Sequence, residues 1–114
     1  MPVQAAERSA LRDPLAALSS PRRREILRLV WSDERSAGEI ARGFDVSWPA
    51  ISQNLRVLKD SGLVRERRSG TSRLYRANRV ALRPLEAYLR RMWERDIDRL
   101  ALLAEAEERN RSKS

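Results

Sequence analysis

At 114 residues, with a formal net charge of +8 and a pI near 11.2, the chain is sized for one domain and biased towards a polyanionic partner, nucleic acid before an anionic membrane. It contains no cysteine and no histidine, which removes disulfides, thiol chemistry, the commonest metal ligand and the usual general base. No apolar run approaches the ~18 residues of a membrane span, and MPVQAAERSALRD at the start lacks the apolar stretch of a signal peptide, so the expected setting is cytoplasmic.

Residues 1–13 are polar with scattered Ala and Leu11, a segment open to a short helix, and DPLAALSS offers another helical turn or two. Ser20 then supplies an N-cap and Pro21 suits the first helical position, so PRRREILRLVW is expected to form a helix that buries Ile26, Leu27, Leu29 and Val30. Arg22, Arg23 and Arg24 fall in its first turn, the unfavourable sign for the helix dipole. They are open to two readings: solvated charges near Glu25, or contacts to phosphate or to a partner's acids. SAGE at 36–39 fits the capping box, with Ser36 as cap and Glu39 reaching back, and starts a short helix with Ile40, Ala41 and Phe44 inward. Gly43 closes it and FDV makes a turn.

Ser47 caps the next helix. At 100° per residue Ile51, Leu55 and Leu58 fall within about 60° of one another and form its buried stripe, with Asn54 on the edge. Pro49, Ser52, Gln53, Arg56 and Asp60 lie on the other side, and Gly62 is placed to end the helix in the left-handed conformation. LVRERRSGTSRLYRA, 63–77, reads as a hairpin turning at SGT. VALRPLEAYLRRMWERDIDRLALLAEAEER then predicts one long helix over about 80–109, some 45 Å in length, with Pro84 tolerable only in its first turn. The tail 110–114 is expected to fray.

The excess charge is concentrated. Residues 56–79 hold eight Lys or Arg against Asp60 and Glu66, a net of +6, which leaves +2 for the other 90 residues. A capped short helix, a tight turn, a second capped helix with a polar outer face and an arginine-rich hairpin, in that order, make a winged helix-turn-helix. Such a second helix fits the major groove of double-stranded DNA. Ser52 and Gln53 offer donors and acceptors there, Arg56 reaches guanine or phosphate, and the hairpin arginines neutralise phosphate alongside. Without a nucleophile–base pair, a cofactor motif or a phosphate-cradling loop, the sequence implies neither an enzyme nor a cofactor.

SAGEIARGFDVSWPAISQNLRVLKDSGLVRERRSGTSRLYR, together with LSSPRRREILRLV before it, resembles the ArsR/SmtB family of winged-helix repressors over roughly residues 14–100. The resemblance implies a mostly helical fold with a small β-hairpin, in the order α-α-α-α-β-β-α. It implies a homodimer joined through N- and C-terminal helices, which binds an inverted-repeat operator and represses transcription. Carried over by position, it assigns DNA recognition to Ser47, Trp48, Ser52, Gln53 and Arg56, and wing contacts to Arg67, Arg68, Thr71 and Arg73. The organisation that follows is a segment 1–13 associated with the dimer, a DNA-binding domain 14–79 and a dimerisation helix 80–109. Metal sensing does not carry over, because the Cys and His ligands of metal-responsive members are absent and no metal site is expected. The acids of the C-terminal helix are read as ion-pair partners for neighbouring arginines. An inducer, if one exists, is not legible.

Two placements stay open at this stage. Trp48, at the first turn of the recognition helix, can pack on the duplex or fold down as an apolar lid over the helix-turn-helix. The stripe Leu85, Leu89, Met92, Trp93, Ile97 and Leu100 can be domain core or dimer interface; the length of a 30-residue helix favours the interface for most of it. The alternative function is a DNA-organising protein without sequence preference, which would bind all duplexes alike with a steep salt dependence.

Overall fold

The computed structural model describes residues 14–95 and 97–113, without the side chains of 97, 98, 112 and 113; the segment 1–13 lies outside the described residues. A helical turn, α1 (Pro14–Ala17), leads through Ser19 and Ser20 into α2 (Pro21–Leu29). Ser20 Oγ accepts from the Arg23 amide at 3.3 Å and Pro21 occupies the first turn, so the predicted start holds. α2 ends two residues earlier than the sequence suggests. Its Ile26, Leu27 and Val30 are fully buried and centre the core, each side chain contributing about 1.5–3 kcal/mol of transfer free energy. Leu29, Ala41 and Phe44, expected inward, are half-buried against that core.

Two residues, Arg35–Ser36, form a short strand, β1, and Ser36 then caps α3 (Ala37–Ala41). The capping box is complete: Ser36 Oγ accepts from the Glu39 amide at 3.2 Å, and the Glu39 carboxylate accepts from the Ser36 amide at 3.0 Å. That amide bond to Ser36 holds the Glu39 carboxyl below the usual range. A turn through Gly43–Val46 leads to α4 (Trp48–Asp60), whose stripe Ile51, Leu55 and Leu58 is buried as the spacing predicts. α4 stops at Gly62, φ +76°, where the Leu63 amide donates to the Leu58 carbonyl at 2.9 Å and the Gly62 amide to Lys59 at 3.0 Å. This Schellman closure turns the chain back into the sheet, with Leu58 and Leu63 both fully buried.

β2 (Val64–Ser69) and β3 (Ser72–Ala77) form the hairpin, and β1 pairs on the far side of β3, giving an antiparallel sheet of order β1-β3-β2. The third strand was not legible: two residues carry no alternation. Register puts Ser69 opposite Ser72, so Gly70 (φ +62°) and Thr71 form the turn. The Ala77 amide donates to the Val30 carbonyl at 2.9 Å and fastens β3 to the end of α2.

The expected single C-terminal helix is not what forms. It is divided into α5 (Arg79–Leu82), a 3-10 turn (Arg83–Leu85), α6 (Glu86–Glu94) and α7 (Ile97–Lys113). Pro84 explains the first break: it has no N–H to give and its ring would meet the carbonyl four residues back. At the second break the chain folds back, and α7 packs along α2. Glu25 accepts from Arg99 at 3.3 Å, Glu105 from Arg22 at 2.9 Å, and the Asp45 carbonyl from Arg109 at 2.6 Å. A straight continuation would forfeit these bonds. The tail expected to fray is helical to Lys113.

For two residues of the stripe assigned to a dimer interface, Leu89 and Trp93, the assignment is corrected in the same place. Leu89 is fully buried in the protomer's own core, and Trp93 packs edge-on to Trp31 with ring centroids 5.2 Å apart. Its indole N–H donates to the Arg24 carbonyl at 3.2 Å. The domain needs α6 to cover its core, so these two side chains are not available to a partner. Leu85 and Met92 are half-buried, Ile97's side chain is outside the description, and Leu100 stands exposed.

Candidate nucleic-acid interface

α4 lies with its apolar stripe down and Trp48, Pro49, Ser52, Gln53 and Arg56 up, all exposed. Ser47 is occupied as the cap, its Oγ accepting from the Ala50 amide at 3.3 Å. Trp48 is 54% exposed, so the indole is not folded down as a lid; it stands at the entry of the helix, with Pro49 beside it stiffening the first turn. Asn54 ties this helix to the body. Its amide donates to the Ala50 carbonyl at 2.7 Å, and its oxygen accepts from Arg23 at 3.3 Å.

The wing's two faces follow from register. Val64–Ala77, Glu66–Tyr75 and Arg68–Arg73 pair on one face, Arg65–Arg76, Arg67–Leu74 and Ser69–Ser72 on the other. The first face turns towards α4. Between them runs a groove of about 340 Å³, lined by Ser52, Arg56 and Lys59 from the helix and Glu66, Arg73 and Tyr75 from the wing. Glu66 accepts from the Tyr75 hydroxyl at 2.8 Å and from Lys59 at 3.3 Å. The Tyr75 hydroxyl, then the Lys59 ammonium, holds this carboxyl below its ordinary range; burial, then the facing carboxylate, pushes the Tyr75 phenol up.

Two directly opposed pairs are of like sign, Arg65–Arg76 and Arg68–Arg73, an arrangement that weakens an isolated hairpin by roughly 0.2–1 kcal/mol each. A polyanion laid across the wing would reverse that sign. Chemically, the surface can donate hydrogen bonds and neutralise phosphate, and it offers in Ser52 and Gln53 groups suited to base edges.

Of the predicted contacts, the structure brings Ser52, Arg56 and Arg73 to one groove, with Arg68 and Thr71 exposed at the wing tip. Gln53 is exposed but outside the groove. Arg67 differs from expectation: its guanidinium forks onto Glu34, Nε at 2.8 Å and Nη2 at 2.7 Å. That pair lowers the Glu34 carboxyl and raises Arg67. Neither open reading of Arg22–Arg24 describes what they do. Arg23 donates to the Ala16 and Ala17 carbonyls, Arg24 to the Leu18 carbonyl, and Arg22 to Glu105, so they satisfy the end of α1 and hold α7. The 2.9 Å bond from Arg22 holds the Glu105 carboxyl below its usual range. Sequence reasoning missed Lys59, Glu66 and Tyr75 as parts of the surface; fixing the turn at Gly70–Thr71 would have shown the Glu66–Tyr75 pair. Glu34 has no local signal at all. Among the described residues no three His, Cys, Asp or Glu gather as a metal site would need.

Comparison with known proteins agrees with this geometry. Residues 18–67 match a helix-turn-helix domain family. Over 91 residues the chain is 38% identical to the HTH-type transcriptional regulator Rv2034 of Mycobacterium tuberculosis, covering 80% of this chain and 85% of that protein. It is 38% identical over 66 residues to the transcriptional repressor SdpR of Bacillus subtilis, covering 58% and 73%. The homodimeric winged helix-turn-helix DNA-binding domain Mb0332 from Mycobacterium bovis, a possible ArsR-family regulator, superposes with a TM-score of 0.64 at 31% identity. That match covers 82% of this chain and 87% of that one. The chain belongs to the ArsR-type family of winged helix-turn-helix transcriptional regulators, proteins that bind DNA and are not enzymes.

Proposed function

We propose that this chain is a dimeric transcriptional repressor that binds an inverted-repeat operator through α4 and the wing and does not respond to metal. The observation that carries the DNA-binding part is the shared groove: an outward helix face of Ser52 and Arg56 facing Arg73 of a wing that sets two pairs of arginines directly opposite each other, Arg65–Arg76 and Arg68–Arg73. In this reading Ser52, Gln53 and Arg56 read base edges, Trp48 packs on sugar or a thymine methyl at the helix entry, and Arg68, Thr71 and Arg73 hold phosphate. Two protomers on one two-fold axis would place two such helices about one DNA turn apart. Support for a dimer comes from the named homodimer among the structural neighbours and from the exposed apolar residues Leu15 on α1 and Leu100 and Leu103 on α7. The lack of Cys and His supports metal independence.

The test is binding of the purified chain to the DNA upstream of its own gene, against a shuffled duplex, at two salt concentrations. A preference that survives high salt, with two protomers per site, is the expected result. Equal affinity for both duplexes, lost together as salt rises, would leave a non-specific DNA binder.

A further inference from the structure

A carboxylate on a surface built for phosphate is out of place on charge alone, and Glu34 is such a carboxylate. It lies in the bend before β1, on the outer side of the sheet, and reaches across β3 to Arg67 on β2. The fork is bidentate at 2.8 and 2.7 Å, the geometry in which an Arg–carboxylate pair sets direction as well as charge. Glu34 also begins a three-residue junction. Arg35 donates from Nε to the Leu29 carbonyl at the end of α2 (2.8 Å), and Ser36 caps α3. A tie to Glu34 is therefore a tie to the helix-turn-helix itself.

The adjacent wing residue is pinned from the opposite side. Glu66, on the inner face, is held by Lys59 of α4 and by Tyr75. Glu66 and Arg67 thus fasten β2 to the body from both faces at one level, and the tip beyond them carries Arg68, Thr71 and Arg73.

We propose that Glu34 is a positioning residue for DNA binding: through Arg67 it fixes the angle at which the wing tip meets the duplex, and Arg67 is not itself a phosphate contact. The inference rests on α4 and the wing being the DNA-binding face. An exposed pair of this kind adds little to global stability, so its effect belongs to the discrimination between duplexes.

The experiment uses the full chain, with the upstream DNA and its shuffled duplex titrated across a salt series. Glu34→Gln is expected to lower affinity for the upstream DNA about three- to tenfold while leaving the shuffled duplex bound as well or better, at an unchanged salt slope and melting temperature. Arg67→Ala should do the same, and the exchange Glu34→Arg with Arg67→Glu should restore the preference. Higher affinity for both duplexes in Glu34→Gln, with a slope steeper by about one, would mean that Arg67 had been released to phosphate and would overturn the proposal. So would an unchanged preference in Glu34→Gln, or a slope shallower by about one in Arg67→Ala. A wild type that does not distinguish the duplexes removes the functional reading and this proposal together; a discriminating wild type with an indifferent Glu34→Gln removes the proposal alone.

Discussion

Trp48 is a large apolar side chain left 54% exposed at the start of α4, on the helix face that the proposed reading turns towards DNA. Trp48→Ala is expected to reduce affinity for the upstream DNA about tenfold, or ~1.4 kcal/mol, with no fall in melting temperature. A matching loss of stability would mean that the indole serves the fold instead. Arg68 tests the wing. Exposed, opposite Arg73 and without an ion pair among the described residues, it should contribute one phosphate contact. Arg68→Ala should weaken binding to all duplexes alike and lower the salt slope by about one, read from titrations at several salt concentrations.

At the scale of elements, the C-terminal region carries the main difference from expectation. Its heptad-like spacing reads equally well as one long helix or as several, because periodicity reports a face and not a direction. Pro84 marks one break locally; the second is set by what α7 finds on α2. Trp93 accordingly belongs to the fold. Trp93→Ala should cost about 3–5 kcal/mol in chemical denaturation, since it removes the edge-on packing with Trp31 and leaves a cavity. A charge at that position would report unfolding in a sedimentation experiment, not dissociation. The exposed face of α7 is the better probe of assembly: Leu100→Glu with Leu103→Glu, at 64% and 66% exposed, should produce folded monomers. A dimer that persists would place the interface elsewhere.

For the whole molecule, stability against pH follows from its carboxylates. Glu39, Glu66 and Glu105 are all held below the ordinary value, by the Ser36 amide, Tyr75 and Arg22 in turn. Groups depressed in the folded state favour folding above their unfolded pKa, so this contribution is present above about pH 4.5 and is lost as pH falls through the depressed values. Tyr75, raised by burial, has the opposite sign, and its contribution fades above about pH 10. With no histidine to titrate between, thermal melts should give a plateau from about pH 5 to pH 10 with loss on the acid side. A midpoint that changes steeply between pH 6 and 8 would contradict this.

Several features with a short-range signal were legible in the sequence: the caps at Ser20, Ser36 and Ser47, the buried stripe of α4, the left-handed Gly62 and the arginine-rich hairpin. Each is dictated by interactions within a few residues, where backbone donors, side-chain reach and helical period leave few alternatives. Where α7 goes, that Trp93 and Leu89 serve the protomer's own core, that Arg22–Arg24 bond inward and that Glu34 meets Arg67 emerge from packing between elements. Most of those outcomes depend on partners far along the chain, 33 residues from Glu34 to Arg67 and 83 from Arg22 to Glu105, whereas Arg23 and Arg24 bond back to carbonyls six or seven residues before them. A charge or an apolar side chain carries no local record of which distant neighbour will satisfy it, so such pairings appear only once the chain has closed on itself.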